Sequence, residues 1–553
     1  MVPGPPPLDH ATAPNGRTLQ DRLGWPARAA ILAGVFFVEK NILTRFVDLQ
    51  RAEAAQGIGN LLRIAQHLGL RFVVALVAAL AVFAYARGKR PAAATSPPPH
   101  TVHVRPLWIA AHLALLACLA WLSYWLFPAA PLPIPFAAIA GVWLVCGAAA
   151  ILCAFAAMAP LPRWLQAARS LGSIWLYAAA AALAAVMTIH LSEEYWRTAA
   201  AVTFQLVGLI LRPILPGLIV DPAHLVLGTQ RFGVQILAYC SGLEGMSLIL
   251  AFTIAWLGYF RRDFRFPRAL VVIPLALALM FALNAVRIAV LLLIGNAGYP
   301  DVAIYGFHSQ AGWIAFNTVA IGIAVWTRRS RWLNRRGALP ARATTDNPAA
   351  AFLMPFLAIL AAGMLSHALS GRFEWLYPLR LLAALAALLV YRRPLAALDW
   401  QWSWRGPLVG IGAFVVWFAA AHYLAPPAGM PPALAAASPA LRWGWLGCRV
   451  AASVVTVPLA EELAFRGFLM RRLQSRDFDA LGYARVGWAA IAGAAVLFGV
   501  EHGAMWLPGI LVGFAYGWIV KRQGRLGEAV AAHMATNLLL AAVALGLGNW
   551  SAF

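Results

Sequence analysis

Of the chain's 553 residues, 62% are hydrophobic and only 11% are charged, against roughly 45–50% apolar and about 25% charged in soluble domains. A water-soluble fold has too little interior to hide that much apolar surface, so the composition excludes one and selects the bilayer as solvent. The net charge of +23 would point to nucleic acid in a soluble chain, but the basic residues cluster between apolar runs, as they do in cytoplasmic loops, and this argues against a nucleic-acid partner.

The first 26 residues are polar and Pro-rich, with Arg17, Arg22 and Arg28 ahead of or at the first apolar run. They read as a short cytoplasmic tail before an uncleaved signal-anchor. Spanning helices are expected at 70–86, 107–127, 135–158, 173–191, 246–260, 269–296 and 311–327, then at 351–369, 378–391, 407–424, 441–459, 484–500, 505–520 and 527–547. Each approaches the roughly 20 apolar residues that a crossing needs. The run 27–44 is weaker because it holds Glu39 and Lys40, and 196–220, broken by Pro213 and Pro216, is a candidate re-entrant segment. Only helices satisfy their own backbone in lipid at these lengths, so the expected fold is all-α. The expectation is a polytopic protein of the inner (cytoplasmic) membrane, with two membrane-embedded helical units.

The stretch 328–350 is basic, polar and interrupted by Gly337, Pro340 and Pro348. It divides the chain into a unit at 1–335, a basic linker at 336–350 and a second unit at 351–553. Loop charge orients the first unit. The basic loops 87–106, 261–268 and 328–336 are assigned to the cytoplasm, and 128–135, 192–198, 228–244 and 297–309 to the outside.

Cys118, Cys146, Cys153 and Cys448 lie in or at the start of apolar runs and read as small buried hydrophobes. Cys240 differs: it stands in AYCSGLEGM, a turn at the mouth of span 246–260. Arg287 lies in the outer half of span 269–296, and His308 just ahead of span 311–327. The orientation brings all three to the outer face. A thiolate with a neighbouring cation, a His and an Arg form a working set for peptide cleavage or transpeptidation through a thioester. An Arg inside a span is costly and marks a functional position by default. The CSG turn, the NxxR span with Asn284 and Arg287, and the FH loop resemble the exosortase family, whose members process exported proteins at a C-terminal sorting tail. The resemblance covers mainly 230–330. It implies Cys240 as nucleophile, Arg287 as oxyanion or thiolate partner, His308 as acid/base and Asn284 as a supporting residue.

In the second unit, PLAEELAFRGFLMRRL carries Glu461 and Glu462. Glu462 and Arg466 are four apart and share a helix face, while Glu461 points about 100° away. His502 follows in LFGVEHG; His533 and Asn537, again four apart, lie in AAHMATN. Such groups can activate a water and bind the oxyanion it creates. They can also form a structural polar network between helices, and two His with a Glu can ligate zinc, although no HExxH is present. The motifs EExxxR, FxxxH and HxxxN are similar to those of the CPBP family, membrane proteases related to the type II CAAX prenyl endopeptidases. That resemblance implies a metal-independent glutamate protease over about 351–553, with neither cofactor nor metal. Glu461 and His502 would act on water, His533 and Asn537 would form the oxyanion hole, and Glu462 and Arg466 would support them. The two units in this order resemble the fused exosortase E/protease type, which implies substrates with a VPEID-CTERM tail. The expected partners are exported proteins bearing such a tail and the lipid bilayer itself. The rival class is a non-enzymatic transporter or scaffold with its polar residues along a pathway; the lack of an internal repeat between the halves counts against it.

Overall fold

A computed structural model describes residues 106–126, 136–172, 174–335, 347–424, 428–475 and 477–551, with a few helical residues farther upstream. The expected spans 27–44 and 70–86, most of loop 87–106 and linker residues 336–346 lie almost wholly outside them. The chain divides into two compact units, 1–190 and 191–553. Both polar constellations therefore fall in the second unit.

The protein is a helical, multi-pass membrane protein. Seven helices among the described residues are long and apolar enough to cross a bilayer, including Arg268–Asn296, Pro348–Ala368 and Gly527–Leu547. In the first unit, helices Pro106–Leu126 and Phe136–Met158 pack together. Trp143 Nε1 donates to Ser123 Oγ at 2.9 Å. The acidic group that weakened run 27–44 has a partner: Glu39 Oε1 lies 2.7 Å from Nε2 of buried His112, whose Nδ1 is 2.9 Å from the Ala150 carbonyl oxygen.

Two expectations are corrected in the next segment. Residues 192–198, expected as a loop, and 196–211 of the expected broken segment form one helix, Ile174–Leu211, of 38 residues, and 212–220 continue as turn and strand. Nothing in SEEYWRT breaks a helix, for Glu and Arg are good helix formers and neither Gly nor Pro is present. At about 1.5 Å per residue the helix exceeds a hydrocarbon core of about 30 Å, so much of it projects beyond the lipid. It stops just before Arg212 and Pro213. The fold is also not purely helical: β1 (Ile219–Asp221), β2 (Val226–Gly228) and β3 (Gly233–Gln235) form an antiparallel meander, with Ile219 opposite Gly228 and Leu227 opposite Val234. Short β-branched runs between turn residues favour this.

Helices Leu243–Tyr259, Val272–Asn296 and His308–Arg329 share one core, built on Ile249, Met280 and Ile323. At one end of this core the two basic loops join. Phe264 and Asn334 form a β-bridge, Arg265 N–H donates to Leu333 O at 2.7 Å, and Arg335 N–H donates to Asp263 O at 2.9 Å. Asn347 then caps helix Pro348–Ala368 by accepting from Ala349 N–H.

The expected span 441–459 is the first part of a longer helical stretch. Pro439–Ala451 and Val457–Glu462 are α-helical, Ala452–Thr456 and Leu463–Leu469 are π-helical, and Met470–Gln474 is α-helical again. Glu461 and Glu462 thus stand between two π segments, which recur at functional sites because the wider turn re-aims side chains.

Candidate active sites

The first site begins with a turn. Cys240 closes the 3₁₀ turn Ala238–Cys240, directly after the meander, and is 2% exposed. Gly242, at φ +89°, turns the chain into helix Leu243–Tyr259, and a Cβ there would meet Asn284 Nδ2 at 2.9 Å. Glycine satisfies both the left-handed conformation and the close approach. The turn is pinned from two helices: Asn284 Nδ2 donates to Cys240 O at 3.0 Å, and the Thr203 hydroxyl donates to Ser241 O at 3.0 Å. Small Ala285 and Ala289 bring helix Val272–Asn296 onto the Cys240 core.

Arg287 lies three residues beyond Asn284, and its guanidinium acts electrostatically on both Cys240 and His308. Its Nη1 comes 3.0 Å from where a Cβ on Gly312 would stand, one turn past His308. Its Nε is buried without a hydrogen-bond partner. The His308 ring packs edge-on against Tyr239, with centroids 6.2 Å apart. Cys240, Arg287 and His308 thus converge, from three separate segments.

Burial pushes the Cys240 thiol up, and the Arg287 charge opposes that shift. Removing the guanidinium takes away the largest influence opposing burial. Arg287→Met is therefore expected to move iodoacetamide alkylation of Cys240 to higher pH, and the rate at pH 7 should fall in proportion to the thiolate lost, about tenfold if the profile moves by one pH. An unchanged alkylation profile would show that Arg287 does not act on the sulfur.

The second site is deeper. Glu462 and Arg466 are fully buried and paired, Oε1 to Nη1 at 3.0 Å. Arg466 Nη2 also donates to Gly513 O at 2.9 Å, and its Cζ lies 4.3 Å from the Phe498 ring centroid and 5.4 Å from that of Tyr516. His533 stands between the two carboxylates. Its Nδ1 is 3.0 Å from Glu462 Oε1, and its Nε2 is 4.0 Å from Glu461 Oε2, too far for a direct hydrogen bond. Glu461 Oε2 is buried with no hydrogen-bond partner.

His502 Nδ1 lies 2.7 Å from the Phe498 carbonyl oxygen. A carbonyl only accepts, so the proton is on Nδ1 and Nε2 presents a lone pair. Phe498 joins the two histidines, with ring centroids 4.7 Å from His502 and 6.0 Å from His533. Asn537 donates from Nδ2 to Ser453 O at 2.7 Å, in the first π segment. One of its amide protons is thus engaged at Ser453, not on a target shared with His533, and the other remains. Sequence reading passed over Glu501 and Tyr516. The Glu501 carboxylate acts electrostatically on Glu461, and the Tyr516 ring packs on His533 at 5.1 Å. The adjacency of Glu501 to His502 was the available signal. No three His, Cys, Asp or Glu side chains among the described residues are grouped as metal ligands would be.

The buried pair gives a stability prediction. Glu462→Ala leaves Arg466 buried without its counter-charge, and is expected to cost about 3–5 kcal/mol. An SDS titration of the purified protein in mixed micelles measures it; a wild-type midpoint would contradict it.

Two stretches of the chain match known families. Residues 64–325 match the transmembrane exosortase model, and residues 443–539 match that of the type II CAAX prenyl endopeptidase Rce1-like family. No curated protein and no solved structure matches the chain. The two matched regions lie on either side of the basic stretch 328–350, and both families are peptidase families. In chain order, these matches are to an exosortase fused to a CPBP-type protease and support a membrane peptidase-type function.

Proposed function

We propose that the chain is a bifunctional membrane peptidase, divided functionally at 336–350. Residues 1–335 cleave exported proteins at a C-terminal sorting tail on the outer face of the inner membrane. The observation that carries this reading is the reach of one guanidinium, Arg287, to both Cys240 and His308. Cys240 Sγ gives its proton to His308 and attacks the scissile carbonyl carbon as thiolate. Arg287 stabilises first the thiolate and then the oxyanion, and Asn284 holds the turn. As the tetrahedral intermediate collapses, the C–N bond breaks and His308 gives its proton to the departing amine. Water, or an amine acceptor in a transpeptidation, then opens the thioester with His308 as base. The tail is of the VPEID-CTERM kind by family resemblance.

Residues 351–553 act as a glutamate-type endopeptidase. The buried, unpartnered Oε2 of Glu461 supports its role as the group that orients and deprotonates a water, and His502, with its Nε2 lone pair free of the Phe498 carbonyl, assists it. His533 and the remaining Asn537 amide proton serve the oxyanion, while Glu462 and Arg466 hold His533 in place.

The test is a reporter carrying a VPEID-CTERM tail, expressed with and without this protein. Cleavage only with the protein, blocked by iodoacetamide, supports the reading. Cleavage that is independent of the protein overturns it.

A further inference from the structure

We infer that the turn 366–372 of the C-terminal half is a working part of the first site, holding the π-helix that presents His308, with Gly306 as the positioning residue. The inference rests on the reading of His308 as acid/base.

His308 directly follows the π-helix Val302–Phe307. A π segment lacks the regular i→i+4 ladder and costs more to maintain than an α-helix, so an external support is needed to fix its exit direction. One side of that support is the Cys240 turn, through Tyr239 against the His308 ring. The other side is the end of helix Pro348–Ala368. Gly306 is buried there, and a Cβ on it would stand 2.5 Å from the His367 carbonyl oxygen, 3.1 Å from that of Ala368 and closer still to that of Ser370. Any side chain at 306 would displace either those carbonyls or the π-helix.

The contact continues along the same seam. A Cβ on Gly371 would meet Asp301 Cβ at 3.2 Å, Arg372 Nε pairs with Asp301 Oδ2 at 3.2 Å, and the Arg372 Cζ lies 4.6 Å from the Tyr305 ring centroid. The ion pair is exposed and contributes little by itself, so close packing at Gly306 carries most of the hold. The turn is itself rigid. Arg380 grips both Glu374 oxygens at 2.8 and 2.9 Å, Ser366 donates to Glu374, and the Ser370 hydroxyl donates to Ser366 O at 2.7 Å. The C-terminal half thereby serves the first site whether or not it cleaves anything itself.

The experiment uses the full chain in nanodiscs with the tailed reporter. Gly306→Ala is expected to lower kcat at least tenfold with KM within about twofold, since an ångström of misplacement costs about that much or more. The pH limb set by His308 should shift, while iodoacetamide alkylation of Cys240 stays at the wild-type rate. Gly322→Ala is the control: it lies on the helix that His308 begins and has open space around its Cβ. Arg372→Ala loosens the seam without adding bulk, and should lower kcat about threefold, with rescue by Arg372→Lys. Wild-type kcat in a folded Gly306→Ala protein overturns the inference. So does wild-type kcat in Arg372→Ala should Gly306→Ala not fold, or an equal loss in Gly322→Ala. His308→Ala separates the two levels. If it leaves processing intact, the acid/base reading fails; if it abolishes processing while Gly306→Ala does nothing, only the positioning inference fails.

Discussion

Cys240→Ala is expected to abolish processing of tail-bearing exported proteins, by at least about 10³-fold, at an unchanged level of protein in the membrane. Placement sets Cys240 apart from Cys118, Cys146 and Cys153. Cys240 is held in a turn that Asn284 and Thr203 fix from two helices, and it has an arginine beside it. Three other described cysteines lack that setting. Cys118 and Cys146 face each other at 3.9 Å, and Cys153 is buried in an apolar helix. Cys118→Ala, Cys146→Ala and Cys153→Ala should therefore process the reporter at wild-type rates. The protein level should survive Cys240→Ala because a methyl in place of a thiol leaves the Asn284 hydrogen bond to the backbone intact. Immunoblots of reporter and enzyme from the same membranes measure both. Retained processing in Cys240→Ala would refute nucleophilic catalysis at this residue, whatever the behaviour of Arg287 and His308.

Loop charge alone put Cys240, Arg287 and His308 at the same end of their spans. Two basic loops assigned to one side fix the direction of three spans, and the structure joins those loops through the Phe264–Asn334 bridge. The local meander was not legible. Its strands are three residues each, too short for alternation to register against a background of apolar helices. The 38-residue helix was hidden for the opposite reason: hydropathy falls at SEEYWRT, and a fall in hydropathy marks the edge of lipid, not the end of a helix. Gly306 could not be read either, because the need for glycine comes from carbonyls about sixty residues later in the chain.

In the second site the motifs gave the residue types, and depth was the difficulty. A simple alternation of spans put His502 near the outer surface and Glu461 and His533 toward the cytoplasm. Two features remove the conflict. Helix Trp488–Glu501 has only 14 residues, about 21 Å at 1.5 Å per residue, so its end falls short of a full crossing. Glu461 lies in the middle of the helical stretch from Pro439 to Gln474, not at its end. Sequence also paired Glu462 with Arg466 by spacing, but gave no sign that His533 would bond the same carboxylate. That contact crosses 71 positions, and no local periodicity encodes it.

Glu461→Gln is expected to remove proteolysis by the second site, by at least about 10³-fold, while processing at Cys240 continues. Gln keeps the size and can still accept a hydrogen bond, but it cannot take a proton from water. Burial makes the site sensitive to that one change. Glu461 has an oxygen without a protein partner, whereas Glu462 is committed to Arg466 and His533. Glu462→Gln should consequently fail differently, losing fold stability together with activity, because Arg466 then lacks a counter-charge. Zinc is the competing explanation for two His and a Glu near one another, and a chelator separates the two. Purified protein is treated with 1,10-phenanthroline, its metal content is measured, and proteolysis is followed in the wild type and in Glu461→Gln. Activity that survives the chelator but not Glu461→Gln supports the water-activating carboxylate. Stoichiometric zinc, lost together with activity on chelation, would replace it with a metalloprotease in which His502 and His533 are ligands.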